Sequence, residues 1–247
     1  MTSGSAGGSG KRLVALDLAR SLALLGMVVF HFTFDLEMFG HLEPGTTVNG
    51  AWAIFARVVA GSFLFLSGVS LWLAHGRGIR WPAFWRRFVM VGGAAAAVTL
   101  ATYVAVPQAF IFYGILHAIA VGSLVGLVFL HLPAVVTLAA AVGVLAVNQS
   151  VASDAFNGPW LVWTGLGSRA PWALDFVPPF PWLAAVLAGI GVARLLGLVG
   201  FWDWLGRFQG GAGLARLAWP GRHSLAIYLL HQPVLIGLVW AGTQVFG

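Results

Sequence analysis

The stretch Arg12-Leu13-Val14-Ala15-Leu16-Asp17-Leu18-Ala19-Arg20-Ser21-Leu22-Ala23-Leu24-Leu25-Gly26-Met27-Val28-Val29-Phe30-His31-Phe32-Thr33-Phe34-Asp35 decides the class of this chain. It is apolar over a length sufficient to cross a bilayer, yet it carries four ionisable groups after Arg12. On a helix, Asp17, Arg20, Leu24, Met27, His31 and Asp35 fall within an arc of roughly 60°. Ionisable groups inside a membrane are costly, so they face a protein interior or a water-filled site and mark function. The stretch therefore predicts a membrane span with a polar site built along one face.

Composition extends that reading to the whole chain. Hydrophobic residues make up 60% of the 247 residues and charged residues 8%, against about 25% charged in soluble domains. Apolar runs predict an all-α membrane bundle with spans near 13–36, 52–75, 87–106, 110–130, 133–149, 181–199 and 222–245. Residues 1–11 read as a flexible Gly/Ser tail and 12–247 as one transmembrane domain. If the N-terminus is cytoplasmic, the inner segments hold Lys11, Arg12, Arg77, Arg80, Arg86, Arg87, Arg194, Arg207, Arg216 and Arg222, and the outer ones only Arg169. That asymmetry predicts seven spans, a C-terminus outside, and a multi-pass protein of the inner (cytoplasmic) membrane. The formal charge of +6 lies at membrane edges and does not point to nucleic acid. There is no Cys, which excludes disulfides, Fe–S clusters and thiolate catalysis.

Two connections are long. The outer one, 149–179, carries Trp160, Trp163 and Trp172 and reads as an interfacial belt or a lid. The inner one, 200–221, alternates apolar residues with Arg207 and Arg216 and reads as a short surface helix.

Candidate chemistry concentrates on four spans. Asp17 and Arg20 are spaced for an ion pair near the inner surface. His31 and Asp35 are i,i+4 neighbours about 21 Å further out than Asp17, a spacing at which a carboxylate can orient an imidazole and raise its basicity. Arg57 shares a face with Gly61, Leu64 and Gly68, so it is expected to point into the bundle, with Asp35 as its partner. Tyr113 and His117 share one face of the fourth span. Ser224, Tyr228 and His231 share a face of the last, with Gln232 at the flank, and the expected neighbour of that stripe is the first span. No compact multi-ligand motif is present, so no metal is expected.

The run from Arg12 to Arg20, with Met27 and His31 after it, resembles the opening of the membrane acyltransferase superfamily. Within it the chain is most similar to the heparan-α-glucosaminide N-acetyltransferase catalytic-domain family. Phe63-Leu64-Phe65-Leu66-Ser67-Gly68 resembles that family's second span. Gly221-Arg222-His223-Ser224-Leu225-Ala226-Ile227-Tyr228-Leu229-Leu230-His231-Gln232-Pro233 resembles its last. The resemblance implies a multi-pass enzyme that moves an acetyl group from cytoplasmic acetyl-CoA to an acceptor at the other face. It implies a catalytic His in the loop after the first span, where this chain has His41, while His31 stands where the family has an Asn.

The expected catalytic set is therefore His31, Asp35, His41, His117 and His231, acting as base or acyl carrier. Arg57, Tyr113, Tyr228 and Gln232 are expected at the acceptor, a small molecule or glycan bearing a hydroxyl or amine. Arg20, Arg77, Arg80, Arg86, Arg87, Arg222 and Ser224 are expected at acyl-CoA. Membrane lipids surround the bundle, and a homodimer is left open. The competing class is a proton-coupled transporter or channel using the same His, Asp and Arg groups, against which stands the lack of an inverted repeat or paired broken helices.

Overall fold

The computed structural model describes residues 13–208 and 211–246. The tail expected over 1–11, and with it Lys11, lies outside the described residues, as does Arg12. Among the described residues ten α-helices follow one another: α1 (Val14–Met38), α2 (Gly50–His75), α3 (Trp81–Ala105), α4 (Ile115–Phe129), α5 (Ala134–Ser150), α6 (Pro179–Leu198), α7 (Phe201–Leu205), α8 (Ala212–Leu217), α9 (Trp219–Arg222) and α10 (Ser224–Phe246). Among the described residues there are no strands, and the chain is an all-helical, polytopic membrane bundle.

Five helices, α1, α2, α3, α6 and α10, are long and apolar enough to cross a bilayer. The other two expected spans form shorter helices of 15 and 17 residues. At 1.5 Å per residue α4 is about 22 Å long, short of a hydrocarbon core of about 30 Å. The reason lies at its outer end. Pro107 opens a 3-10 turn and Gly114 is extended, so the chain expected to be helical from 110 enters the helix only at Ile115. Because α4 and α5 follow one another, the side reached by the C-terminus is the same whether both span or neither does.

Helix contacts close a ring: α1 packs on α2, α2 on α4, α4 on α3, α3 on α10 and α10 on α1, with α6 seated on α2 and α4 and α5 behind it. Glycine makes the α2–α6 contact close. A Cβ on Gly68 would strike the Val186 carbonyl of α6, and one on Gly189 would strike the Phe65 carbonyl of α2. The two backbones touch through reciprocal small residues, the device by which membrane helices approach without a hydrophobic drive.

Among its described residues the inner connection forms three short helices rather than one. Its end is a clasp: Gly221 lies against the Asp17 carbonyl, where no side chain would fit, and its N–H donates to Ser21 Oγ at 2.9 Å. This clasp sets α10 beside the polar stripe of α1. At the far end of α1, the Glu37 carboxylate accepts from Gly45 N–H, Thr47 N–H and Thr47 Oγ at 2.6, 2.8 and 2.6 Å. Those bonds fold the loop to α2 back onto the helix that precedes it.

The outer connection is an ordered strap. It contains 3-10 turns at Asp154–Phe156 and Val162–Thr164, and an isolated bridge joins Ser153 to Gly167. Leu174 N–H donates to the Ala109 carbonyl at 2.9 Å and Val177 N–H to the Tyr113 carbonyl at 3.0 Å, which lays the strap over the start of α4. Trp163 stacks toward Tyr113 with ring centroids 6.0 Å apart, while Trp160 and Trp172 stay 88% and 82% exposed. That exposure suits indole rings placed at a membrane–water interface.

Candidate functional site

The first and last long helices meet as the polar stripes require. His31 and His231 lie edge to face, with ring centroids 4.9 Å apart. One turn outward, Gln232 Nε2 donates to Asp35 Oδ1 at 2.7 Å. His231 Nδ1 is 2.6 Å from the Tyr228 carbonyl, and a carbonyl can only accept, so the proton sits on Nδ1. Among the described residues His231 Nε2 is left with its lone pair, buried and without a partner, and His31 Nδ1, Asp35 Oδ2 and Gln232 Oε1 are likewise buried and unpartnered. Buried polar atoms are normally satisfied, so four orphans on two adjacent helices mark a place built for something else. His231 Nε2, Asp35 Oδ2 and Gln232 Oε1 are acceptors, so the fitting occupant is rich in donors: hydroxyls or an ammonium.

Asp35 does not orient His31. Its carboxylate is fully buried and turned to Gln232, and no hydrogen bond joins it to the imidazole one turn away. The imidazole oriented by a bond is that of His231, and the agent is a backbone carbonyl.

Arg57 and Asp35, expected as partners, do not pair. Arg57 shares its face with Leu64 and Gly68 as expected, but that face turns to α6. The α1 side of α2 carries Val59, which meets Gly26, and Ser70, which accepts from Arg20 Nη2 at 2.6 Å. Helical periodicity puts Arg57 about 150° away from that side, and its side chain is exposed. His41 is exposed on the loop after α1.

His117 belongs to the corner of α3 and α4. Its Nδ1 accepts from Gly114 N–H at 3.2 Å and its Nε2 lies 3.3 Å from Thr99 Oγ1. The Thr99 hydroxyl spends its proton on the Ile111 carbonyl at 2.7 Å, so His117 Nε2–H donates to that oxygen. Nδ1 thus caps α4 and Nε2 ties it to α3, and Tyr113 stacks on the ring with centroids 5.7 Å apart. The Tyr113 hydroxyl is buried without a partner among the described residues.

A residue that sequence reasoning missed joins this corner. Asp175, on the strap, accepts Ile115 N–H at 2.9 Å at the N-terminus of α4 and fills the space where Gly114 lacks a side chain. Burial raises its carboxyl pKa to about 6 although the Ile115 N–H pulls the other way. Tyr228 lies within electrostatic reach of it. The Tyr228 ring in turn is 5.6 Å from that of His231. The Asp-to-helix spacing of 60 residues left no local signal for this contact.

The inner end of the stripe opens on a cavity of about 1310 Å³ between α1, α2, α6 and α7. Arg20, Arg77, Arg80, Arg194 and Arg207 line it, against Asp17 and Asp203. Asp17 is already engaged by Arg20 at 3.0 Å and by Arg222 Nε at 3.5 Å, so the expected i,i+3 pair exists and extends to α9. The expected basic group thus divides. Arg77, Arg80 and Arg20 reach the cavity, whereas Arg87 faces a small neighbouring space with His75 and Ser123, and Arg86 is exposed. Ser224 starts α10 and is not part of the cavity wall. Arg194 and Arg207 are additional, brought there by the turn after α6. Among the described residues no group of His, Asp and Glu is placed to hold a metal.

No curated protein and no solved structure matches the chain. A family model does, that of the catalytic region of heparan-alpha-glucosaminide N-acetyltransferase, over residues 12–233. The match runs from the start of α1 past His231 and Gln232, so it takes in both polar stripes and the cavity at the inner end of the first. By that match the chain belongs to the heparan-α-glucosaminide N-acetyltransferase catalytic family, a family of multi-pass membrane acetyltransferases.

Proposed function

We propose that this protein moves an acetyl group from acetyl-CoA, bound in the inner cavity, to a hydroxyl or amine of a sugar or glycoconjugate at the His31–His231 pair. It would act in the cytoplasmic membrane, with its N-terminus inside. The observation that carries the reading is the single face of α1 that lines the basic cavity with Asp17 and Arg20 and meets the histidine pair at His31. Arginines hold phosphates through charge and paired N–H groups, and the cavity has an excess of them.

At the other end, the lone pair of His231 Nε2 suits a general base. It takes the proton of the acceptor N–H or O–H as the heteroatom attacks the thioester carbonyl. The C–S bond breaks as the new bond forms, and the imidazolium returns the proton to the departing thiolate. Asp35 Oδ2 and Gln232 Oε1 hold the acceptor's remaining donors. His31, against the His231 ring, is placed to position that base or to carry the acyl group.

Thermal stability of the purified protein with acetyl-CoA, followed by acetyl transfer to glucosamine, tests the proposal. Stabilisation and transfer support it. Absence of both, with CoA-independent proton flux in liposomes, replaces it by the transporter reading.

A further inference from the structure

We infer that Leu24 and Met27 form an apolar septum through which the acyl-bearing end of the donor must pass, and that Met27 restricts that end to a short acyl group. The inference rests on the donor entering from the inner cavity. On α1 the cavity wall ends at Arg20, and the unpartnered polar atoms begin at His31 Nδ1. The rise between the two residues is about 16 Å. Leu24 and Met27 stand between them on the same face, 2% and 4% exposed, so a line drawn along this face from the cavity to the histidine pair runs through these two buried side chains.

The direction of the side chains sharpens the point. Cα–Cβ bonds tilt toward a helix N-terminus, which for α1 is the cavity end. The His31 imidazole therefore leans down toward Met27, and Met27 toward Leu24. An acyl-CoA entering from the cavity leads with its acyl group. It must part Leu24 and Met27 and then stop against the His31 and His231 rings, which are packed 4.9 Å apart between centroids. Methionine suits a moving barrier, because its unbranched thioether changes rotamer without shifting the backbone. Each added methylene must find room between a displaced Met27 and a fixed ring pair. The same barrier keeps water in the cavity from meeting the outer polar atoms. A ladder of ionisable groups without an apolar break would pass protons.

The test compares CoA, acetyl-CoA, propionyl-CoA and butyryl-CoA as competitors of labelled acetyl-CoA on the purified full chain. For the wild type, butyryl-CoA is expected to compete about tenfold more weakly than acetyl-CoA, and Met27→Ala to narrow the gap to about threefold. The volume-conserving Met27→Leu should keep the wild-type ratio. Equal competition by acetyl- and butyryl-CoA on the wild type overturns the inference, and needs no variant to fold. An unchanged ratio in a Met27→Ala protein that still binds CoA overturns it too. Failure of CoA itself to bind the wild type overturns the donor reading beneath it. In liposomes, Met27→Ser should raise proton leak about tenfold above that of the wild type and of Leu22→Ser, which changes the lipid-facing side. A Met27→Ser protein as tight as the wild type shows that Met27 is not the barrier.

Discussion

His231 Nδ1 is held by the carbonyl of Tyr228 at 2.6 Å, within the same helix, so the other ring nitrogen, Nε2, keeps its lone pair, buried and without a partner among the described residues. The orientation costs no second side chain. It also leaves Asp35 available for Gln232, and thereby for the acceptor.

The first prediction follows from that geometry. His231→Ala and His31→Ala are each expected to lower acetyl transfer at least about a hundredfold while leaving CoA affinity within about twofold, since they remove chemistry rather than donor contacts. His41→Ala should retain activity. Loss confined to the His41 variant would move the base to the loop.

The second concerns the cavity. Arg77→Gln, Arg80→Gln, Arg194→Gln and Arg207→Gln should each weaken CoA binding severalfold, and rising salt should weaken it further. Arg86→Gln, on an exposed position away from the cavity, should not. Calorimetric titration separates the two sets.

The third uses Asp175. Its folded pKa of about 6 lies above the ordinary carboxyl value of 3.8. Between those two values the folded state holds more protons than the unfolded state, so stability falls as pH rises across that window and levels off above it. Asp175→Asn keeps an acceptor for Ile115 N–H but cannot ionise. Thermal denaturation from pH 4 to 7 should show a decline in the wild type that the variant lacks. Parallel curves would mean that Asp175 ionises as freely in the fold as in water.

The fourth concerns packing. Gly221→Ala should separate α9 from α1 and cost about 1–3 kcal/mol, because the added methyl would overlap the Asp17 backbone carbonyl. Gly237→Ala, with open space around it, serves as the comparison in the same melting experiment.

The fifth is topological. A reporter fused after Gly247 should read outside the cell and one at the N-terminus inside, as the basic asymmetry requires. A cytoplasmic C-terminus would break the odd count of crossings.

Class, orientation of the polar stripe and the pairing of first and last spans are legible in the residues themselves. A 3.6-residue period in an apolar run is local information. It aligns Asp17, Arg20, His31 and Asp35 whatever the rest of the chain does. The family motifs at the two ends likewise lie in contiguous sequence. What a helical period cannot give is the direction in which a shared face turns. Arg57, Leu64 and Gly68 do share one, but α6 takes it through the Gly68–Val186 contact, and Asp35 is left to Gln232. His117 has the same spacing whether it caps or catalyses, and only Gly114, Thr99 and Ile111 gathered around it decide for capping. Asp175 depends on a strap that crosses back over 60 residues to one backbone N–H. Arg194 and Arg207 join the cavity because the turn at Gly200 folds α7 under α2 and α6. Periodicity acts within one helix, whereas each of these placements is set by which neighbouring element packs against it, a contact no helical period encodes.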